Sequence, residues 1–474
     1  MAEESWHEAR LIPTSGINGA EEQERRGTSA LLAVLVAVKE FGRTLLKPLG
    51  APAGNIETYI EVPFEIGEKR LFPDGLIRVS RAGRAWTALV EVKTGANQLQ
   101  AEQLENYLDI AKEQGYQAVL TISNEIPAVA GQHPTKVDKR KLRKVALHHL
   151  SWTQVLAEAV MQKEFRGVAD PDQAWILGEL IRYLEHKRSG AMEFEDMSDT
   201  WVAVRNAVAA STLRPNDKGI NDVVARFDAL LRFASLRLGR QLGTEAVPVL
   251  SRREHAEPEL RSQSLAAMLC ESGRLSGAIR VPDTVGHLVV TADLRSSTVT
   301  CHVDLDAPKE GRPTTRVNWL IRQLKASPEI VRVESYVAHS RGSNAAELLG
   351  TVRDDPAKLV LDATKEIRGF RVALSRPMGT KRGRGRGAFI DSVLESVDDF
   401  YTDVLQYMRA WSATPPKMRQ GPLVEEQGVQ RAVLASTDLS SQDGSEPAPT
   451  EPAEVPSSTE SQAPANAVAP VHPT

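Results

Sequence analysis

The chain has only two cysteines, Cys270 and Cys301, in 474 residues. That is too few for a disulfide framework, and their spacing fits no paired zinc-ligand pattern, so a reducing cytoplasm is the expected setting. Long apolar runs are also missing. The longest, 30–38, falls short of the roughly 20 residues that cross a bilayer. The first twenty residues mix Glu, Arg and His without an apolar signal region, so neither secretion nor membrane insertion is expected. No internal repeat and no base-reading motif is found. Strong net charge is absent too, but the value of −4 conceals an asymmetry. From 421 to 474 eight acids face the single base Arg431, a charge of −7, so the first 420 residues carry +3. This tail is rich in Pro, Ser, Thr and Ala and cannot bury a core, so it is expected to be disordered.

What is present reads as three further regions. In 20–165 the pattern predicts a buried helix over 28–46, with Thr28 or Ser29 as its N-cap. An extended stretch follows over 57–64, then strands over 74–79 and 85–93, a helix over 98–114, strands over 116–122 and 144–150, and a helix over 153–162. The run 116–122 is continuously apolar, as expected of a strand buried on both faces. Residues 170–275 read as mainly helical, with an amphipathic stretch over 219–238. In 277–415 strands are expected over 288–293, 298–305 and 331–337, with helices over 315–325 and 390–411. The expected class is α/β: a mixed-sheet N-terminal domain, a helical middle, an α+β C-terminal domain and the acidic tail.

Chemistry-bearing residues concentrate in one hairpin. Pro73 and Asp74 open one strand, Glu91, Val92 and Lys93 close the next, and Ala82-Gly83 lies midway as a tight turn. A two-residue turn there pairs positions whose numbers sum to 165, so Asp74 falls opposite Glu91. Lys93 then projects to the same side as Glu91 while Val92 points away. Two facing carboxylates cost roughly 0.2–1 kcal/mol unless a cation offsets the repulsion. A divalent metal suits the site, because Mg²⁺ takes one or two carboxylates and fills its other positions with water and phosphate oxygens.

The pattern Pro73-Asp74 followed by Glu91-Val92-Lys93 resembles the PD-(D/E)xK nuclease superfamily, which includes many restriction enzymes. The hairpin, the helix after it and the buried strand after that stand in family order. Gln103-Leu104-Glu105-Asn106-Tyr107 is similar to the Gln-x-x-x-Tyr signature of one branch. The resemblance covers roughly residues 20–160 and implies a restriction-endonuclease-like fold. It implies Asp74, Glu91 and the Val92 backbone carbonyl as ligands of Mg²⁺ or Mn²⁺, with Lys93 assisting the attacking water and Gln103 beside it. Tyr107 is a further site residue, and Glu24 is the best-placed acid on the first helix. Gln103 and Tyr107 share one helix face, whereas Leu104, Leu108 and Ala111 form a separate apolar stripe. The alternatives are a solvated hairpin with a surface salt bridge and a decayed, non-catalytic copy.

Other patterns are weaker. His302, Asp304 and Asp306 alternate on one strand face, as a half-solvated strand does. His148 and His149 sit in an expected strand, where at most one faces a site, and residues 340–343 read as a turn. Lys381, Arg382, Arg384 and Arg386, separated by glycines, form an expected flexible loop able to follow a phosphate backbone without reading sequence. The expected function is metal-dependent phosphodiester hydrolysis with nucleic acid, DNA first, as partner. No membrane partner is expected, and a homo-oligomer is admissible. A non-catalytic nucleic-acid-binding or stress-response regulator on the same scaffold is the second reading, and a protein-interaction module the third.

Overall fold

The computed structural model describes residues 11–413, apart from 15, 16, 18, 67, 68, 128, 130 and 339–344. The turn expected at 340–343 and the tail 421–474 therefore lie outside the described residues. Helix α1 (Ala20–Ala37) begins at Ala20 rather than near Thr28, with Glu21 and Glu22 in its first turn, where the helix dipole favours acids. Thr28 is buried inside it and its hydroxyl donates to the Glu24 carbonyl at 2.7 Å, so it back-bonds within the helix and does not cap it. The backbone leaves helical geometry at Val38 and resumes as α2 (Lys39–Leu46).

Strands β1 (Asn55–Ile60), β2 (Phe64–Ile66), β3 (Lys69–Leu71), β4 (Gly75–Arg81) and β5 (Arg84–Val92) follow. Helix α3 (Ala101–Glu113), β6 (Ala118–Ser123), β7 (Ala146–Ser151), α4 (Trp152–Val160) and α5 (Pro171–Glu185) complete this part. One mixed sheet runs β1-β4-β5-β6-β7, while β2 and β3 form a small separate ribbon. The β4–β5 register pairs Gly75 with Val90 and Arg81 with Arg84, positions that sum to 165 as expected. Ala82 and Gly83 both have positive φ, 49° and 77°, which is the type I′ geometry that matches strand twist. β5–β6 and β6–β7 are parallel, and every residue of β6 is buried, because helices cover both faces. On one face Ile77, Val79, Ala88, Val90 and Leu120 pack against α1, α2, α4 and α5. On the other, Leu76, Leu89 and Val119 pack against Leu108 and Ala111 of α3.

The second part contains α6 (Trp201–Ala209), α7 (Ile220–Leu242), β8 (Val247–Pro248), α8 (Arg252–Ala256), α9 (Pro258–Ser272), β9 (Arg274–Arg280), β10 (Leu288–Asp293), β11 (Thr298–Asp306), α10 (Pro313–Gln323), β12 (Arg332–Val337), β13 (Ala345–Leu348), α11 (Leu349–Asp354), β14 (Ile367–Pro377) and α12 (Phe389–Asp403). Its seven-stranded sheet is ordered β13-β12-β14-β11-β10-β9-β8, antiparallel throughout. Helices α7, α9 and α12 pack on it around one large core. The helical stretch expected over 170–275 has no layer of its own. Leu177, Leu180 and Leu184 of α5 join the first core, and α6, α7 and α9 share the second core with the sheet. The last helix ends at Asp403 rather than 411. The protein is thus mixed α/β, and the described residues up to Ser412 cluster as one compact unit. Among the described residues no helix is long and apolar enough to cross a membrane.

Candidate functional site

Each buried Leu or Phe contributes about 1.5–3 kcal/mol relative to exposure. Those cores support a group of charges that opposes folding. Asp74 precedes β4 directly and lies opposite Glu91 by the hairpin register. Its Oδ2 accepts the Val92 backbone N–H at 2.7 Å, which fixes one carboxylate across the strand ends. Glu91 is 1% exposed. Lys93 Nζ donates to Glu91 Oε1 at 2.6 Å and lies 3.5 Å from Glu24 Oε2. Glu91 Oε2 is buried with no hydrogen-bond partner.

Glu24 comes from α1, as expected of an acid from the first helix. Its Oε1 accepts from Asn97 Nδ2 at 2.6 Å and from the Thr94 backbone N–H at 3.3 Å. The loop carrying Thr94 and Asn97 is braced by the segment that follows α5. Gly95 donates to the Gly190 carbonyl at 2.9 Å, and Gly190 has φ 76° with a notional Cβ only 2.7 Å from Thr94 Cβ, so a larger residue there would push the loop away. The Trp152 indole donates to the Lys93 carbonyl at 3.0 Å, holding the strand end from the other side.

Helix α3 closes the site. Gln103 Nε2 donates to the Tyr107 hydroxyl at 3.1 Å, and that hydroxyl donates to the Phe72 carbonyl at 3.4 Å. Tyr107 does not belong to a purely polar stripe, since its ring is 3% exposed and packs in the α3 core with only the hydroxyl reaching the site.

The electrostatics follow from this crowding. Burial, and then the charge of Asp74, push Glu91 up to about 7, with Lys93 partly offsetting both. Burial raises the Asp74 carboxyl above its ordinary range despite the Val92 N–H and Lys93. Burial alone would lower the Lys93 ammonium, but Glu91, Glu24 and Asp74 together hold it above its usual value. Tyr107 is raised by burial and by Glu91, so its hydroxyl stays protonated. A cavity of about 350 Å³, lined by Glu21, Glu24, Arg25, Thr28, Ile60, Glu61, Phe72 and Asp74, opens onto this group. A second cavity of about 450 Å³ shares Ile60 and Glu61 with it.

Among the described residues no three His, Cys, Asp or Glu side chains converge as a ready metal-ligating group. The donor set is the pair Asp74 and Glu91, with the ammonium of Lys93 as the counter-ion present. Two carboxylates are the number with which Mg²⁺ commonly manages, using water and phosphate oxygens for the rest. The unpartnered, buried Glu91 Oε2 is a free ligand position, so the residues fit such an ion.

The remaining expectations divide. His149 is a structural histidine: Thr121 Oγ1 lies 2.8 Å from its Nδ1, and the Glu125 carbonyl 2.9 Å from its Nε2. Burial lowers its pKa to about 4. Asp304 forms a two-pronged pair with Arg371 at 2.7 and 2.8 Å on an exposed strand face. The 381–387 loop is a folded turn, not a free one. Arg382 pairs with Asp196 at 3.3 Å and also with Asp199, while Arg384 pairs with Glu193 at 3.0 Å and Asp391 at 2.7 Å. Among the described residues no hydrogen bond or ion pair joins these four bases to the carboxylate site. Sequence reading missed Asn97, whose only signal was an amide shortly after Lys93, and it missed the basic run 136–144. Compared with protein-family models and with curated proteins, the sequence matches none.

Proposed function

We propose that the N-terminal part is a restriction-endonuclease-like domain that hydrolyses phosphodiester bonds, with DNA as substrate and Mg²⁺ or Mn²⁺ as cofactor. The observation that carries this reading is the buried Glu91 carboxylate, with one oxygen on Lys93 and the other unpartnered, beside Asp74 at the strand end. The order of hairpin, α3, β6 and β7 supports the family resemblance. Asp74, Glu91 and the Val92 carbonyl would hold the ion. When bound, it supplies Lewis acidity to the phosphoryl group and a more acidic water.

The chain's own residues do the remainder. Lys93 is held by Glu91 at 2.6 Å, and Glu24, fastened by Asn97 and lining the cavity, flanks the same ammonium at 3.5 Å. There the ammonium can orient a water by hydrogen bonding and offset charge that grows on the phosphate. Gln103 and Tyr107 close the α3 side with a neutral, hydrogen-bonded wall. A non-catalytic nucleic-acid-binding protein is the second reading. It is favoured by the same ammonium, which already serves as the cation between the acids. Incubating purified protein with linear, circular and single-stranded nucleic acids plus Mg²⁺ or Mn²⁺ separates the two readings. Cleavage lost in Glu91→Gln supports the first, and no cleavage by wild type overturns it.

A further inference from the structure

Between β6 and β7 runs a segment with six bases, Lys136, Lys139, Arg140, Lys141, Arg143 and Lys144, against the single acid Asp138. A charge run of this kind is most often merely solvated, but here the backbone is fixed. His133 Nε2 lies 2.8 Å from Thr121 Oγ1, and Thr121 is the register neighbour of Glu91, so the segment begins beside the site's own row of the sheet. It then descends along α3. The Asp138 N–H donates to Glu105 Oε1 at 3.0 Å, and Lys141 Nζ donates to the Glu105 carbonyl at 3.3 Å and to Asp109 Oδ2 at 2.5 Å. Val137 and the buried Val145 pack into the core under α3.

These anchors use Asp138 and Lys141 and leave the other bases facing outward. Arg140 is paired within the segment to Asp138 at 2.8 Å. Lys136 reaches Glu259 at 3.5 Å, with both side chains almost fully exposed. Among the described residues no carboxylate lies within salt-bridge distance of Lys139, Arg143 or Lys144, and all three are exposed. Glu105 and Asp109 sit on the flank of α3 opposite Gln103 and Tyr107, so α3 stands between the segment and the side of the helix that closes the carboxylate site. A group of acids needs help to approach a polyanion. Unpaired cations on a fixed backbone beside the same helix can supply it without touching a base.

We propose that the 136–144 segment is the surface on which the phosphodiester backbone of a nucleic acid docks, with Lys139, Arg143 and Lys144 as its phosphate contacts. The orientation of that backbone toward Asp74 and Glu91 rests on the nuclease reading. The docking itself does not.

The test uses the full chain and the combined variant Lys139→Gln, Arg143→Gln, Lys144→Gln. Binding of a labelled DNA duplex of mixed sequence is measured across a salt series with Ca²⁺, and hydrolysis of a duplex and of bis(para-nitrophenyl) phosphate is measured with Mg²⁺ or Mn²⁺. The salt dependence should flatten by about 0.9 of log-log slope per lost contact, hence about 2.7 in all. Unrelated sequences should be weakened alike, and the small diester, too short to reach the segment, should be turned over as before. The charge-keeping variant Lys139→Arg, Lys144→Arg should retain the wild-type slope. Binding that flattens in the triple variant, with no hydrolysis of either substrate by wild type, supports the surface and overturns the nuclease reading. Hydrolysis by wild type with superimposable slopes overturns the surface and leaves the site standing. Failure of wild type to bind duplex, or a preference for phosphatidylserine vesicles over DNA, also overturns the surface.

Discussion

Both sheets carry charged residues on their strands, and the two treat them in opposite ways. On the second sheet Asp304 faces Arg371 across β11 and β14, with two hydrogen bonds on an exposed face. Arg371 holds that carboxyl below its usual range. Such a pair is satisfied where it stands and contributes about 0–1 kcal/mol. On the first sheet Glu91 is buried with one oxygen unpartnered, and burial together with Asp74 drives it up to about 7. Folding gains little from that arrangement, since even a buried ion pair such as Glu91 and Lys93 must offset a desolvation cost on the order of several kcal/mol per ion. Local rules of packing are broken mainly where a site is being built. The contrast therefore supports the site proposed at the end of β5 and leaves the Asp304–Arg371 face of the second sheet as a solvated surface.

The largest expected effect tests that assignment directly. Asp74→Asn and Glu91→Gln should each lower phosphodiester hydrolysis on the order of 10³-fold or more, because residues acting as one unit fail together. Asp304→Asn should leave turnover at the wild-type value. Loss of activity in all three would erase the contrast. Lys93→Met should lower the rate by about 10²–10³-fold, typical of one lost electrostatic contact in a site. If it retained full turnover, the ammonium would be only a counter-ion for Glu91.

A smaller effect appears in stability against pH. Glu91 holds its proton in the folded state up to about 7, whereas its ordinary value is 4.5. Between those values the native state binds more protons than the unfolded one. Stability is therefore lost as pH rises through the window and stays lower above it. Glu91→Gln removes the loss and should raise stability above pH 7 by on the order of 1–3 kcal/mol, with no gain below the window. His149 acts oppositely: lowered from 6.5 to about 4, it loses stability as pH falls through that range. The two slopes offset each other in wild type, so Glu91→Gln should show a steeper rise of melting temperature with pH. Melts across this range decide the matter, and a variant less stable than wild type above pH 7 would show that Glu91 is satisfied when charged. Asp304→Asn should cost no more than about 1 kcal/mol, since that pair is exposed.

The first sheet was legible because its signals are local. Ala82-Gly83 sets the hairpin register by itself, and that register alone puts Asp74 opposite Glu91. The apolar run of β6 announces burial on both faces. Strand β14, eleven residues long and central to the second sheet, was missed because Arg368, Gly369, Arg371 and Ser375 interrupt its apolar residues. Its burial is supplied by β11 and β12 from far along the chain. The same limit applies to the site. Asp74, Glu91 and Lys93 could be found from spacing, whereas the grip of Asn97 on Glu24 spans seventy-three positions and has no local pattern. Thr28 misled for the converse reason, since a good capping residue was placed inside a longer helix whose start depends on packing.

The smallest effect concerns the two basic runs, which invert what glycine spacing suggests. The 381–387 loop carries four bases, but Arg382 and Arg384 are held by Glu193, Asp196, Asp199 and Asp391. Its backbone is fastened as well, through Met197 N–H to the Arg382 carbonyl at 3.0 Å and Gly385 N–H to Asp391 at 2.5 Å. For either arginine to meet a phosphate it must leave carboxylates that are already in place, and the acids left behind would repel the polyanion. Only Lys381 and Arg386 have no carboxylate partner among the described residues. Changing all four to Gln should therefore flatten the salt dependence of DNA binding by no more than about 1.8, two contacts at about 0.9 each. That is less than the change expected from Lys139, Arg143 and Lys144. The same variant should also melt lower by about 1 kcal/mol, as exposed pairs that join α12 to the 193–199 stretch are lost. A slope change near 3.6 would mean that all four bases turn to phosphate and that the pairs seen here are exchanged for it. The loop, rather than the segment beside α3, would then be the main docking surface.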